Sequence, residues 1–134
     1  EWIKKFINHS INLIKNNEPI ILGGDFNICP DHIDAATPEK LTNDAVFMPE
    51  IKSLFKHMLN LGFIDAYRTF NEDNKEFTYW DYGSAFEANL GLRIDHFLLS
   101  SLVADRCTKV YIDRDPRGWP RPSDHTPIIC LIDV

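Results

Sequence analysis

The sequence predicts an α/β layered domain, and three observations carry that prediction. Trp2, Ile3, Phe6, Ile7, Ile11 and Ile14 recur at helical spacing. Ile20-Ile21-Leu22 is a short, wholly apolar run closed by Gly23-Gly24, as expected of a strand buried on both faces. Arg93 to Leu99, Thr108 to Ile112 and Pro127 to Ile132 each read as strands divided by turn-rich segments. Helices alternating with strands early and strands in succession later suit layered helix and sheet, not an all-α or all-β domain.

Taken in order, the first helix has Lys4, Lys5, Asn8 and Asn12 on its polar side and ends near Asn16-Asn17, with Pro19 breaking it. After the first strand, residues 28 to about 48 hold Pro30, Pro38, Asn43 and several aspartates without periodicity, which predicts a long surface loop with one short helical turn. Loops of that length in compact domains are often functional. Pro49 suits the first position of a second helix whose stripe is Ile51, Leu54, Phe55 and Met58, and Gly62 ends it. Phe63 to Tyr67 is expected to pack behind that helix. Phe77-Thr78-Tyr79-Trp80 has strand-forming residues and runs into a polar turn at Asp81-Tyr82-Gly83. Ile128 to Ile132 presents apolar groups both ways and needs cover on both faces. The elements in hand hardly supply it, so a further sheet is expected from elsewhere in the same protein. The opening Glu1-Trp2-Ile3, with no methionine and a helix at once, reads as a cut inside a larger chain.

A chain of 134 residues with 44% hydrophobic content has material for a real core. A charged fraction of 25% and an aromatic fraction of 12% exclude a disordered reading. The net charge of −6 works against non-specific attraction to a polyanion, although a divalent metal would offset clustered carboxylates and only local charge touches a ligand. Arg114, Arg117 and Arg121 lie close together; phosphate contact and a solvated loop paired with Asp113 and Asp115 both stand open. Cys29, Cys107 and Cys130 form no CxxC pair and leave an odd count, which argues against a disulfide framework or zinc knuckle and fits a reducing, cytoplasmic setting. No apolar run nears the roughly 20 residues that span a bilayer, so no membrane association is expected.

Three segments place acid or imidazole groups beside strand ends: Gly24-Asp25-Phe26-Asn27, Arg93-Ile94-Asp95-His96 and Ser123-Asp124-His125. Open α/β sheets gather their active-site groups there. Taken singly, Asp25, Asn27 and Asp124 are turn formers or caps. Asp95 within an apolar strand is harder to dismiss, because a buried acid needs a partner to offset desolvation. His125 is the candidate partner. Phosphodiester hydrolysis asks for a metal held by carboxylates, a group to orient the attacking water and a cation for the developing charge. Asp25 can align or deprotonate water, Asn27 can donate to a phosphate oxygen and Asp124 can hold Mg²⁺. Asp95 would fix the ring of His125 and support an imidazolium that holds a non-bridging oxygen. Gly23-Gly24 is no P-loop, and His9, His32, His57 and His96 show no metal spacing and read as surface or packing residues.

Ile21-Leu22-Gly23-Gly24-Asp25-Phe26-Asn27, Phe77 to Tyr82, Gly91-Leu92-Arg93-Ile94-Asp95 and Pro122 to Pro127 together resemble the exodeoxyribonuclease III and AP endonuclease family. The likeness keeps their order and spacing and runs from the first helix to the C-terminus. It implies half of a four-layer α/β/β/α sandwich of the DNase I-like kind, mostly antiparallel sheet flanked by helices. Residues 1–134 would be the C-terminal part of a single endonuclease/exonuclease/phosphatase domain whose N-terminal half lies outside this chain. It implies cleavage of duplex DNA at abasic sites and 3′ ends with Mg²⁺ or Mn²⁺. It also implies roles: Asp25, Asn27, Asp95 and His125 in catalysis; Asp124, with Asp25 and Asn27, at the metal; and Tyr79, Trp80, Leu92 and Ile94 around an extruded abasic sugar, unless those four are ordinary core. Two features depart from the family pattern. The Asn, metal-binding Glu and Tyr of the family's first half have no counterpart here, and Gly83 stands where many bacterial relatives have Arg. Two rival readings remain: a phosphoesterase of the same fold acting on inositol phosphates or phospholipids, and a catalytically silent fragment that pairs with its other half.

Overall fold

The computed structural model describes residues 1–134. Helix α1 (Trp2–Lys15) leads to strand β1 (Ile21–Asp25), then helix α2 (Pro49–Asn60), strand β2 (Ile64–Asp65) and the short helix α3 (Ala66–Phe70). There follow β3 (Tyr79–Trp80), β4 (Gly91–Leu92), β5 (Asp95–Leu99), α4 (Ser101–Ala104), β6 (Cys107–Ile112) and β7 (Ile128–Ile132). All pairings are antiparallel, in the orders β1-β5-β2, β3-β4 and β6-β7. The predicted α/β class with antiparallel strands and flanking helices is therefore what forms.

Strand β5 is the centre, and its two faces are covered differently. Leu98 belongs to a core with Ile7 of α1 and Phe55 and Met58 of α2. Leu99 belongs to a second core with Ala66, Tyr67, Val103 and Val110. Each fully buried large apolar side chain stabilises by roughly 1.5–3 kcal/mol, so these few contacts anchor α2 on the sheet. Helix α2 starts on Pro49, whose missing N–H would be unsatisfied there anyway. It stops before Gly62, whose φ of 111° favours a residue without Cβ.

Several local expectations need correction. Strand β1 is not buried on both faces: Ile20 is buried and Leu22 packs on the first core, while Ile21 is 51% exposed. Alternation turns Ile21 to the face that no helix covers. Residues 28–48 are not one surface loop. They make three 3-10 turns, His32–Asp34, Pro38–Lys40 and Ala45–Phe47. Asp31 and Asp44 cap the first and third through their side chains, and Cys29, Ala35 and Phe47 form a third core with Ile94. Arg93 and Ile94 fall outside β5, because their N–H groups bond Asp34 O and Thr78 Oγ1. Phe77 and Thr78 likewise precede β3 as buried, irregular backbone.

On β7, Ile128, Cys130 and Ile132 pack toward the second core, and Leu131 on the opposite face is 45% exposed. No helix is long and apolar enough to cross a membrane.

Candidate active site

Asp25 ends β1 and Asp95 begins β5, and the antiparallel register sets the two directly opposite each other. His125 reaches them from the segment before β7. That segment lies against residues 78–80: Tyr79 bridges to His125, Trp80 N–H donates to Asp124 O at 2.9 Å and Thr126 N–H donates to Thr78 O at 2.8 Å.

The result is a chain of polar contacts. His125 Nδ1 lies 2.8 Å from Asp95 Oδ2, and its Nε2 lies 3.8 Å from Asp25 Oδ2. Ligand atoms of Asp25, Asp95 and His125 all fall within 4.8 Å of one another. Asp95 is the most enclosed, with its side chain 15% exposed against 30% for His125 and 38% for Asp25. Burial raises the Asp95 carboxyl above its usual range, against the opposing hydrogen bonds from Thr78 and His125. The bond to His125 orients the ring and leaves Nε2 as the nitrogen facing Asp25. Tyr79 packs edge-on to that ring, centroids 5.2 Å apart. Its phenol is raised by burial and by the Asp81 and Asp124 carboxylates, which favours a neutral donor.

Asp25 and Asn27 form a local turn. Asn27 N–H donates to Asp25 Oδ1 at 2.8 Å and its amide Nδ2 to Oδ2 at 3.3 Å, with Asn27 itself at φ 50°, a conformation asparagine tolerates. The turn-former reading of these two residues is therefore what their hydrogen bonds show. Asp124 sits beside His125 but outside the group of three; its carboxylate faces Ser123 Oγ at 3.5 Å. Two carboxylates and an imidazole are a suitable donor set for a divalent cation. Of the two carboxylates, Asp95 is held by His125, whereas Asp25 is bonded only within its own turn and is the more exposed.

The four residues expected to form a sugar pocket divide. Trp80 is 1% exposed and Ile94 3%, so both are core. The Trp80 indole donates to Asn89 at 3.1 Å, and Ile94 belongs to the third core. Tyr79 and Leu92 are half-buried and cross-strand partners, which leaves them as the accessible pair.

The arginines of the β6–β7 loop are neither a solvated row nor three free cations. Arg117 is buried and donates to the carbonyls of Trp80 and Asp81 at 3.1 and 3.2 Å. Arg114 lies over Phe86. Only Arg121 of the three projects from the loop without such a role; it is exposed.

Two supports were not foreseen. Thr78, fully buried, accepts the N–H groups of Ile94 and Asp95 on its hydroxyl at 3.1 and 3.2 Å and so joins Asp95 to the His125 segment. A β-branched polar residue between Phe77 and Tyr79 was the available signal. Beneath the site, Arg93 is enclosed by Asp34 and Asp65, and His96 is packing, as expected, with Nε2 2.7 Å from Ile28 O.

Comparison with known proteins agrees with this fold. The chain is 37% identical over 120 residues to exodeoxyribonuclease III of Haemophilus influenzae, covering 84% of this chain and 45% of that protein. It is 29% identical to an exodeoxyribonuclease of Bacillus subtilis, across all of this chain and 52% of that one. Among solved structures it superposes on an AP endonuclease from Archaeoglobus fulgidus with a TM-score of 0.93 at 32% identity, covering 99% of this chain and 52% of that chain. It also superposes on a 3′ phosphatase from Neisseria bound to a product DNA hairpin, with a TM-score of 0.95 at 31% identity and the same coverage. The chain thus spans about half the length of the curated relatives it matches. The match to the endonuclease/exonuclease/phosphatase family runs over residues 7–125, nearly the whole chain, and the chain belongs to that family.

Proposed function

We propose that this chain carries part of a phosphodiesterase site acting on duplex DNA at abasic sites and 3′ ends, with Mg²⁺ or Mn²⁺ as the metal. The observation that carries the reading is the meeting of Asp25, Asp95 and His125 within 4.8 Å of one another. The names of the relatives point the same way, one being an exodeoxyribonuclease III and another an AP endonuclease.

In this reading Asp25 aligns the attacking water and takes up its proton. Asn27 spends one amide N–H on Asp25, and its second is assigned to a phosphate oxygen. Asp95 holds the His125 ring, and Nε2–H of the imidazolium donates to a non-bridging oxygen, where preorganised donors act most strongly on developing charge. Asp25, Asn27 and Asp124 are the residues assigned to the metal, which when bound polarises a phosphoryl oxygen. Tyr79 and Leu92 flank the sugar, with Trp80 and Ile94 as their backing.

On the same reading residues 1–134 are the C-terminal part of one domain, and the exposed apolar groups Ile21 and Leu131 meet the further half that the relatives carry. Three free thiols suit a reducing cytoplasm.

The test is to incubate the full-length protein with an abasic-site duplex and Mg²⁺. A nick 5′ to the lesion, abolished by EDTA, is the expected result. Hydrolysis of inositol phosphates or sphingomyelin, with the abasic duplex left intact, would overturn it.

A further inference from the structure

A cleft of about 500 Å³ opens beside His125 along the β6–β7 loop. Trp119, Arg121, Ser123 and Thr126 line it together with several prolines, and no lining residue is an acid. On a chain with 20 acidic against 14 basic residues, a lining without a carboxylate and with Arg121 in it suits an anionic ligand.

The indole of Trp119 is 62% exposed, yet its loop is firmly held. Arg117, two residues before it, is buried and bonded to the Trp80 and Asp81 carbonyls. Pro116, Pro120, Pro122 and Pro127 fix φ along the segment. Arg121 adopts φ 51°, a left-handed conformation uncommon for a long side chain, and it is exposed. A rigidly presented aromatic face, a cation two residues on and an imidazole in the same lining are the parts of a stacking site for a nucleic-acid strand.

We propose that this cleft is a nucleotide subsite, in which the base adjoining the scissile phosphodiester stacks on Trp119 and the Arg121 guanidinium pairs with a phosphate of the same strand. The inference rests on the phosphodiesterase reading and adds to it the residues that grip the strand.

The experiment measures binding of a fluorescein-labelled abasic duplex by anisotropy in EDTA, and cleavage in Mg²⁺, for the full-length protein and its Trp119→Ala, Trp119→Phe and Arg121→Gln variants. Trp119→Ala is expected to weaken binding by about 5- to 150-fold and to raise KM, with kcat held within about two-fold. Trp119→Phe should restore most of the affinity, since any aromatic face stacks. Arg121→Gln should lower the slope of log Kd against log salt by about one. If the parent nicks the abasic duplex and Trp119→Ala matches it in Kd and KM, the subsite is overturned and the catalytic reading survives. If the parent cuts no DNA but Trp119→Ala still loses affinity, the grip of Trp119 on a strand stands, while the catalytic reading falls and with it the placement beside a scissile linkage. A parent that neither binds nor cuts DNA overturns both.

Discussion

Arg93 donates from Nε to Asp34 at 2.7 Å, and the same guanidinium grips Asp65 at 3.1 and 2.8 Å. Asp34 lies in a 3-10 turn, Asp65 ends β2, and Arg93 stands two residues before the carboxylate that holds His125. Three segments are thus fastened beneath the site by one side chain that is 1% exposed. Burial alone would raise the Asp65 carboxyl, but the charge of Arg93 outweighs it and holds it below the usual range. Burial also opposes the charge on Arg93, and Asp65 and Asp34 together keep it firmly cationic.

Arg93→Met is therefore expected to be severely destabilising. Removing one partner of a buried pair leaves an uncompensated charge and costs about 3–5 kcal/mol, here that of Asp65, since Asp34 keeps its second partner Arg68. Urea denaturation should show the unfolding free energy falling by that amount, as a lower midpoint at unchanged slope. Arg93→Lys keeps the charge but not the fork that spans both acids, so it should fall between parent and Arg93→Met. A loss under about 1 kcal/mol for Arg93→Met would mean that Asp34 and Asp65 are satisfied without it.

His96 gives the fold a pH dependence of its own. Its Nδ1 accepts from Arg93 at 3.2 Å and its Nε2 donates to Ile28 O, which fixes the neutral ring. Burial first, and the Arg93 charge second, push its pKa down to about 4. The unfolded imidazole protonates near 6.5, whereas the native one resists until about 4. The contribution is complete above pH 6.5 and is lost as pH falls through that window, on the order of 3 kcal/mol in all. Asp65 is depressed, so its share is lost only at lower pH, and the raised Asp95 acts with opposite sign at the acid end. Urea midpoints from about pH 7.5 to about 4.5 should decline for the parent and be flatter for His96→Gln. Equal slopes would remove His96 from the account.

What could be read from the sequence was what repeats locally. Helical spacing from Trp2 to Ile14 and from Ile51 to Met58 located α1 and α2, since one apolar face per helix is a short-range pattern. The acids and imidazole at strand ends were visible because each sits beside one end of an apolar run. Partners distant in the chain were not. Nothing near Arg93 announces Asp34, 59 residues away, and nothing near Arg117 sets it apart from the other two loop arginines, because its carbonyl acceptors lie 37 and 36 residues away. Trp80 and Ile94 were drawn into the pocket by family likeness, yet tertiary packing encloses them. The 28–48 segment hid its order because short 3-10 turns carry no periodicity.

Gly91 supplies a steric test of how β4 meets the Trp80 core. A Cβ added there would sit 2.6 Å from Trp80 Nε1 and 2.7 Å from Phe77 Cβ. Neither neighbour is a flexible tip, and Trp80 is also tied to Asn89. Gly91→Ala should cost about 1–3 kcal/mol by overpacking, seen as a lowered Tm, and Trp80 emission should shift as its surroundings loosen. An unchanged Tm would show that β3 and β4 can separate without loss.

The catalytic reading makes its sharpest demand on Asp25, Asp95 and His125. Either Asp25→Ala or His125→Ala in the full-length protein should remove most cleavage of an abasic duplex, by about 10²–10⁴-fold. The fold should remain, because both side chains are at least 30% exposed and neither belongs to a core cluster. Asp95→Asn tests the link between them. The amide can still touch Nδ1, but it cannot support a charged ring, so kcat should fall with little change in KM. Far-UV circular dichroism and urea midpoints separate lost chemistry from lost structure. Near-normal turnover by folded Asp25→Ala or His125→Ala would reject the assignment, since no other acid or histidine joins them within ligand distance.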